Sequence, residues 1–117
     1  PVDVVATALG LTAEEYAAKY ADEIEVYGYA AGARALKDDG TPKYTANGKG
    51  GCWFNADGDV DAWANGLFFI EQDGSGINVG QHGDAPAVGT ESTMTFEYVL
   101  GDTSAVITYK VTIVETL

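Results

Sequence analysis

Two long runs near the end of the chain alternate apolar with polar residues, and they constrain the fold more than any other feature. In residues 92–100, Met94, Phe96 and Tyr98 alternate with threonines and a glutamate. Residues 105–115 repeat the pattern, with apolar side chains at every second position from Ala105 to Ile113. Because successive side chains of a strand point to opposite faces, each run predicts a strand with one dry face and one wet face.

Turn residues and shorter apolar runs predict further strands and loops along most of the chain. Gly101-Asp102, between the two runs, predicts a tight turn that joins them as a β-hairpin. Residues 32–51 are rich in Gly, Lys, Asp, Thr and Asn, so we expect a long loop there, interrupted by one short strand around Tyr44. The predicted fold is mainly β, an antiparallel β-sandwich or jelly roll. Shorter strands are expected at 24–30, 52–55, 59–64, 67–72 and 77–81.

The start of the chain predicts a small pair of helices. Thr12 followed three residues later by Glu15 is a capping box, which opens the second helix. Tyr16 and Tyr20 are four residues apart, share a helix face and are expected to join the core. A length of 117 residues suits one domain. We therefore expect a single module, helical over 1–23 and built of sheets and loops over 24–117.

Charge narrows the choice of partners. The chain has 18 acidic and 6 basic side chains, which gives a formal net charge of -12. Such a surface repels phosphate backbones and anionic lipids, so neither nucleic acid nor a membrane surface is expected as a partner. The longest fully apolar run, 67–70, is far too short to span a bilayer. Neutral sugars, cations and basic proteins stay compatible.

The residues that enzymes use for catalysis are scarce. His82 is the one histidine and Cys52 the one cysteine, and neither lies in a recognisable nucleophile motif. The glycines at 74–80 lack the spacing and the following helix of a phosphate-binding loop. We therefore predict a protein that is not an enzyme and has no cofactor.

One turn has the composition of a metal site. Asn55, Asp57 and Asp59 alternate oxygen ligands in a manner similar to a calcium-binding EF-hand loop. Gly58, however, is out of place for that motif, and a tight hairpin turn explains it without metal. Calcium at this turn and a metal-free turn both stay open.

Aromatic residues supply the main candidate for a binding site. Trp53 and Phe54 are adjacent in a predicted strand, so one of them faces the core and the other does not. Trp63 lies near a predicted strand end, where a large ring is less easily buried. Flat exposed rings stack on sugar rings, while amide and carboxylate side chains bond the hydroxyl groups. The candidate stacking residues are Trp63, Trp53, Tyr27 and Tyr29, and the candidate polar residues are Gln72, Asn78 and Gln81.

Several segments resemble a known domain family. Residues 52–60 read CWFNADGDV, Ala62-Trp63 follows, residues 77–81 read INVGQ, and the chain opens with a helix pair containing ALGLTAEE. These segments resemble an uncharacterised family with a Trp-Phe-Asp-x-x-Gly motif, a further Trp and an x-Asn-x-Gly-Gln strand, found in secreted multidomain proteins of gut and rumen bacteria. The resemblance spans most of the chain. It departs from the family at Asn55, which replaces the usual Asp, and at His82-Gly83, where a Tyr-Pro-like pair is common.

The resemblance implies an extracellular accessory module that is sometimes found near carbohydrate-active domains and has no assigned activity. With the aromatic residues, it predicts a non-catalytic carbohydrate-binding module for a neutral plant-type polysaccharide. We expect the protein outside the cell or on its surface, with polysaccharide and the neighbouring domains of a larger secreted protein as partners. The alternative is a structural or protein-interaction module without glycan affinity, in which the same aromatic residues serve packing.

Overall fold

Two antiparallel sheets of four strands each form the body of the protein. The computed structural model describes residues 2–41, 51–73, 76–81 and 87–114. At a few of these positions it describes the backbone but not the side chain. The first sheet has the order β2-β1-β7-β8 and the second the order β4-β3-β5-β6. The strands are β1 (Ile24–Ala30), β2 (Ala33–Arg34), β3 (Gly51–Phe54), β4 (Val60–Asp61), β5 (Phe68–Asp73), β6 (Gly76–Gln81), β7 (Glu91–Leu100) and β8 (Thr103–Thr112).

The two sheets face each other across one apolar core, so the predicted β-sandwich is confirmed. Phe54 of β3 meets Phe96 of β7 edge to face, with ring centroids 5.3 Å apart. Burial of each such side chain contributes about 1.5–3 kcal/mol to stability. Cys52 lies in the same layer, is 1% exposed, and burial raises the pKa of its thiol to about 12. The face of each sheet that points away from this core is called its outer face.

The hairpin of β7 and β8 follows the sequence pattern closely. Its register runs from Glu91 paired with Thr112 to Leu100 paired with Thr103. Gly101 has a positive φ of 58°, which a type II′ turn requires at its first central position. Along β7, Met94, Phe96 and Tyr98 are buried, as the alternation predicts.

Two short helices, α1 (Val2–Ala8) and α2 (Ala13–Lys19), pack against the core and confirm the predicted N-terminal pair. The capping box is present, because the Glu15 amide donates to Thr12 Oγ1 at 3.1 Å and the Thr12 amide donates to Glu15 Oε1 at 2.9 Å. Tyr16 and Tyr20 are buried with ring centroids 5.6 Å apart. In the part of the chain that the structure describes, no helix has the length and apolar character to cross a membrane.

The structure corrects the predicted strands at three places. The strand expected over 59–64 is limited to Val60–Asp61, and a 3-10 turn, Trp63–Asn65, follows it. The loop expected over 32–51 begins with β2, two residues that pair with the end of β1. The final strand ends at Thr112 and not at 115. The short strand predicted around Tyr44 lies outside the described residues.

Candidate functional site

The outer face of the second sheet carries two aromatic rings side by side. Phe54 is buried, so its neighbour Trp53 points outward, and the same alternation turns Phe69 outward beside the buried Phe68 and Ile70. Trp53 and Phe69 are paired directly across β3 and β5. Their ring centroids are 5.1 Å apart and their planes are inclined by 52°. Both residues are half-buried and so partly exposed.

Glycines determine where these two rings lie. A Cβ on Gly66 would be 2.6 Å from Trp53 Cε3, a distance that no real Cβ tolerates. A Cβ on Gly51 would overlap the end of the Phe69 ring in the same way. Each ring therefore rests directly on backbone, and a side chain at either glycine would displace it.

Polar side chains surround the pair on the same face. Asp61 is the register partner of Trp53 in β4. Glu71 and Asn78 pair with each other across β5 and β6, and both are exposed. Directly paired residues of antiparallel strands share a face, so the carboxylates and the amide border the two rings. We call Trp53, Phe69, Asp61, Glu71 and Asn78 the aromatic face.

The turn that leads into β4 holds Asp61 in place. Asn55 Nδ2 donates to Asp61 Oδ2 at 3.0 Å, and the Ala62 amide donates to Asp61 Oδ1 at 2.7 Å. Asn55 Oδ1 accepts from the amides of Asp57 and Asp59 at 2.9 and 3.1 Å. These bonds are those of an Asx-type turn, which satisfies its own backbone. The turn thus presents the Asp61 carboxylate beside Trp53.

The same turn contains the three residues predicted to hold calcium. Asn55 Oδ1 is occupied by two backbone amides, and Asp59 Oδ1 accepts from the Ala31 amide at 2.9 Å. Among the described residues, no three or more His, Cys, Asp or Glu side chains are grouped so as to hold a metal ion. The hydrogen bonds account for the shape of the turn, and calcium binding by Asn55, Asp57 and Asp59 stays a prediction.

A second polar and aromatic group lies on the outer face of the first sheet. Arg34 donates from Nε and Nη2 to the two carboxylate oxygens of Glu97, each at 2.8 Å. The Tyr29 hydroxyl donates to Glu97 Oε1 at 2.9 Å, and Arg34 Cζ lies 4.2 Å from the centroid of the Tyr27 ring. The Tyr27 hydroxyl donates to Glu25 Oε2 at 2.5 Å. We call these five residues the tyrosine–arginine cluster.

The pKa shifts in this cluster favour its hydrogen-bonded arrangement. Hydrogen bonds from Arg34 lower the pKa of the Glu97 carboxyl and raise the pKa of the guanidinium. The pKa of Tyr27 is raised mainly by its bond to Glu25, and the pKa of Tyr29 is raised mainly by burial. At neutral pH the ion pair is charged and both tyrosines donate. The cluster therefore fastens β2, which is only two residues long, to the rest of its sheet.

Comparison with known proteins assigns the chain to a family. Residues 2–106 match the family described as "Domain of unknown function (DUF4859)". The chain belongs to this family. The match takes in both helices and every strand up to the first part of β8, and it confirms the expectation of an uncharacterised domain family. Searches of curated proteins and of solved structures found no match to the chain.

In this DUF4859 domain the residues predicted to bind sugar do not lie together. Trp53 and Asn78 lie on the aromatic face. Tyr27 and Tyr29 belong to the tyrosine–arginine cluster on the opposite side of the sandwich, where Tyr27 is only 8% exposed. Gln72 faces the interior, because its Oε1 accepts from the buried Tyr98 hydroxyl at 2.6 Å.

Two predicted residues are described by their backbone alone. Trp63 begins the 3-10 turn that follows Asp61, and Gln81 pairs with Phe68 at the end of β6. Their side chains lie outside the described part of this DUF4859 domain, so stacking by Trp63 stays a prediction. The loop with His82 also lies outside the described residues.

One central residue of the aromatic face, Phe69, was not predicted from the sequence. Phe68 and Phe69 are adjacent in a predicted strand, so one of them had to point outward. The structure also places Glu97, expected on a wet face, under Arg34 and Tyr29, where it is 8% exposed.

Proposed function

We propose that this domain is a non-catalytic carbohydrate-binding module that holds a neutral polysaccharide on its aromatic face. The observation that carries the proposal is the pair of Trp53 and Phe69, partly exposed at 5.1 Å from each other on the outer side of a sheet. Ligand sites typically combine an apolar surface with a few placed polar groups. Glu71 and Asn78, both exposed next to the rings, are suited to bond sugar hydroxyl groups.

Charge supports a neutral ligand. The chain has a formal net charge of -12, and two carboxylates, those of Asp61 and Glu71, border the rings. A polysaccharide without charge avoids the repulsion that a phosphate or an anionic lipid meets at such a surface. The exposed ring surfaces then supply the apolar contact and the polar border supplies orientation.

The setting of the module is part of the proposal. The CWFNADGDV and INVGQ segments resemble a family of secreted multidomain proteins of gut and rumen bacteria, some of them near carbohydrate-active domains. On that basis we place the domain outside the cell or on its surface, beside neighbouring domains of a larger protein. Its role there is to hold polysaccharide close to those domains.

The second candidate is a structural or protein-interaction module without glycan affinity. One observation favours it: Trp53 rests on Gly66, Phe69 rests on Gly51, and the two rings touch each other. Those contacts give both rings a packing role whether or not a ligand binds.

Affinity electrophoresis of the whole chain in gels that contain β-glucan, mannan, xylan or pectin separates the two candidates. We expect retardation by at least one neutral polysaccharide and loss of most of that retardation in Trp53→Ala. Val106→Ala is the matched control, since Val106 is a 54% exposed apolar residue of β8. Trp63→Ala tests whether the other indole takes part. Unretarded migration in all four gels rejects glycan binding and leaves the second candidate.

A further inference from the structure

The relative orientation of the two rings limits the form of polysaccharide they can meet. Their planes are inclined by 52° and their centroids are 5.1 Å apart. A flat crystalline surface, such as that of cellulose, presents sugars in one plane, and only one of two rings so inclined can lie parallel to it. A single chain can twist, so consecutive sugars can follow both rings.

The rings are not able to become coplanar without a cost. Trp53 lies against Gly66 and Phe69 lies against Gly51, in both cases closer than a Cβ would permit. Rotation of either ring would lift it off backbone to which it is closely packed, and loss of packing is unfavourable. The inclination is therefore a property of the folded sheet that a ligand has to match.

Among the described residues, a space for the ligand continues next to Phe69, over Gly80. Gly80 of β6 is the register partner of Phe69, and a Cβ built on it would make only ordinary contacts with Phe69, the nearest at 3.8 Å from Phe69 Cβ. Neighbouring strands are about 4.8 Å apart, so Trp53, Phe69 and Gly80 form a row roughly 10 Å long across the sheet. That row ends in a position without a side chain, beside the exposed Asn78.

The charged side chains within residues 51–81 all have one sign. Residues 51–81 contain aspartates and a glutamate but neither lysine nor arginine. Asp61 and Glu71 are on the same face as the rings. A sugar acid stacked on the rings would bring its own carboxylate close to theirs, and like charges at short range repel.

We propose that the aromatic face selects single, soluble glycan chains without carboxylate groups, and that one sugar of the chain lies over Gly80. Crystalline polysaccharide surfaces and uronate polymers are excluded, the first by the inclination of the rings and the second by Asp61 and Glu71. This inference rests on the proposed function and specifies its ligand class.

The test compares ligands on the unaltered chain. Soluble neutral polysaccharides are compared with polygalacturonate by affinity electrophoresis, and with microcrystalline cellulose by sedimentation of the bound protein. We expect retardation by a soluble neutral glycan, and at least about tenfold weaker binding to the other two. Binding to cellulose or to polygalacturonate that equals binding to the best soluble neutral glycan overturns the selectivity while leaving glycan binding intact. Absence of binding to every polysaccharide rejects the selectivity and the proposed function together.

Two variants test the position of the ligand. Gly80→Val adds a side chain beside Phe69, at a position where a Cβ makes only ordinary contacts with the described residues. We expect it to weaken glycan binding about tenfold with an unchanged far-ultraviolet circular dichroism spectrum. Glu71→Gln removes one carboxylate and is expected to raise binding of polygalacturonate relative to the neutral glycan. Undiminished glycan binding by Gly80→Val contradicts the position over Gly80. An unchanged ratio in Glu71→Gln contradicts the role assigned to its charge.

Discussion

The two outer faces of the sandwich use aromatic residues in different ways. On the first sheet, the Tyr27 and Tyr29 hydroxyls donate to carboxylates of the protein itself, and Arg34 stacks on Tyr27 while it bonds Glu97. On the second sheet, Phe69 has no polar group, and it packs on Trp53 and on the backbone of Gly51. The polar groups of the first face bond to one another, whereas the second face carries two partly exposed aromatic residues, to which we assign the proposed binding role. Aromatic residues on a sheet surface therefore indicate a binding site only after their own contacts are known.

The largest effect is expected from Glu97→Ala in the tyrosine–arginine cluster. The change removes the acceptor of Arg34 and Tyr29, so we expect the free energy of unfolding to fall by about 2–3 kcal/mol, less than for a fully buried pair because Arg34 is partly exposed. Glycan binding should not change. Urea denaturation measures the first and affinity electrophoresis the second. Glu91→Ala is the control, because its ion pair with Lys110 is exposed and should contribute little. Equal stability of the two variants would contradict the fastening role of the cluster.

The aromatic face is expected to respond to Gly66→Ala. The new Cβ would lie 2.6 Å from Trp53 Cε3, so the indole has to move, and we expect a loss of about 1–2 kcal/mol in stability together with weaker glycan binding. Gly80→Ala adds the same methyl group in ordinary contact and should leave stability nearly unchanged. Thermal denaturation followed by circular dichroism compares the two. A similar melting temperature for both would show that Gly66 does not position the indole.

A smaller effect is expected from Tyr29→Phe. The variant loses one hydrogen bond to a charged acceptor and should lose about 1 kcal/mol of stability. Since Tyr29 serves the cluster, the affinity for glycan should equal that of the unaltered chain. A clear loss of glycan affinity would instead support the role that the sequence analysis predicted for Tyr29 and would reverse the contrast between the two faces.

The smallest expected effect is a change of stability with pH that is caused by Glu97. Its pKa in the folded protein is lowered from the ordinary value of 4.5, so the unfolded chain takes up the proton first as the pH falls. The stabilisation from Glu97 is thus fully present above the unfolded pKa and is lost as the pH falls through the folded pKa. Urea denaturation of the chain and of Glu97→Gln should therefore differ by a constant amount above about pH 5, and the difference should shrink below it. A difference that grows on acidification would contradict this linkage.

Local patterns determined which parts of the fold could be predicted. The alternation in β7 and β8 and the Thr12–Glu15 capping box each lie within a few residues, and the structure has both where the sequence indicates them. The pairing of β2 with β1 could not be foreseen, because a strand of two residues has no period. The strand at Val60–Asp61 was predicted too long, since Asp61 side-chain bonds to Ala62 and Asn65 accompany the 3-10 turn that replaces its continuation.

The candidate site was predictable only where local alternation determines it, and not where it depends on residues far apart in the sequence. The outward direction of Trp53 and Phe69 follows from alternation once Phe54 and Phe68 are assigned to the core. The fate of Tyr29 depended on Glu97, which is 68 residues away in the sequence, and on Arg34, which is 63 residues from Glu97. A single sequence contains no signal that joins residues at such separations. Tyr27 and Tyr29 were therefore predicted as sugar-binding candidates, and their hydrogen bonds to Glu25 and Glu97 could not be foreseen.

The seclusion of Cys52 between the sheets has a practical consequence. A thiol with a pKa of about 12 is almost wholly protonated at pH 8, and only the thiolate reacts with alkylating reagents. A maleimide should therefore modify the Cys52 thiol only after the two sheets separate. Cys52 is thus a built-in probe of spontaneous opening, because its rate of alkylation under native conditions reports how often the interior is exposed.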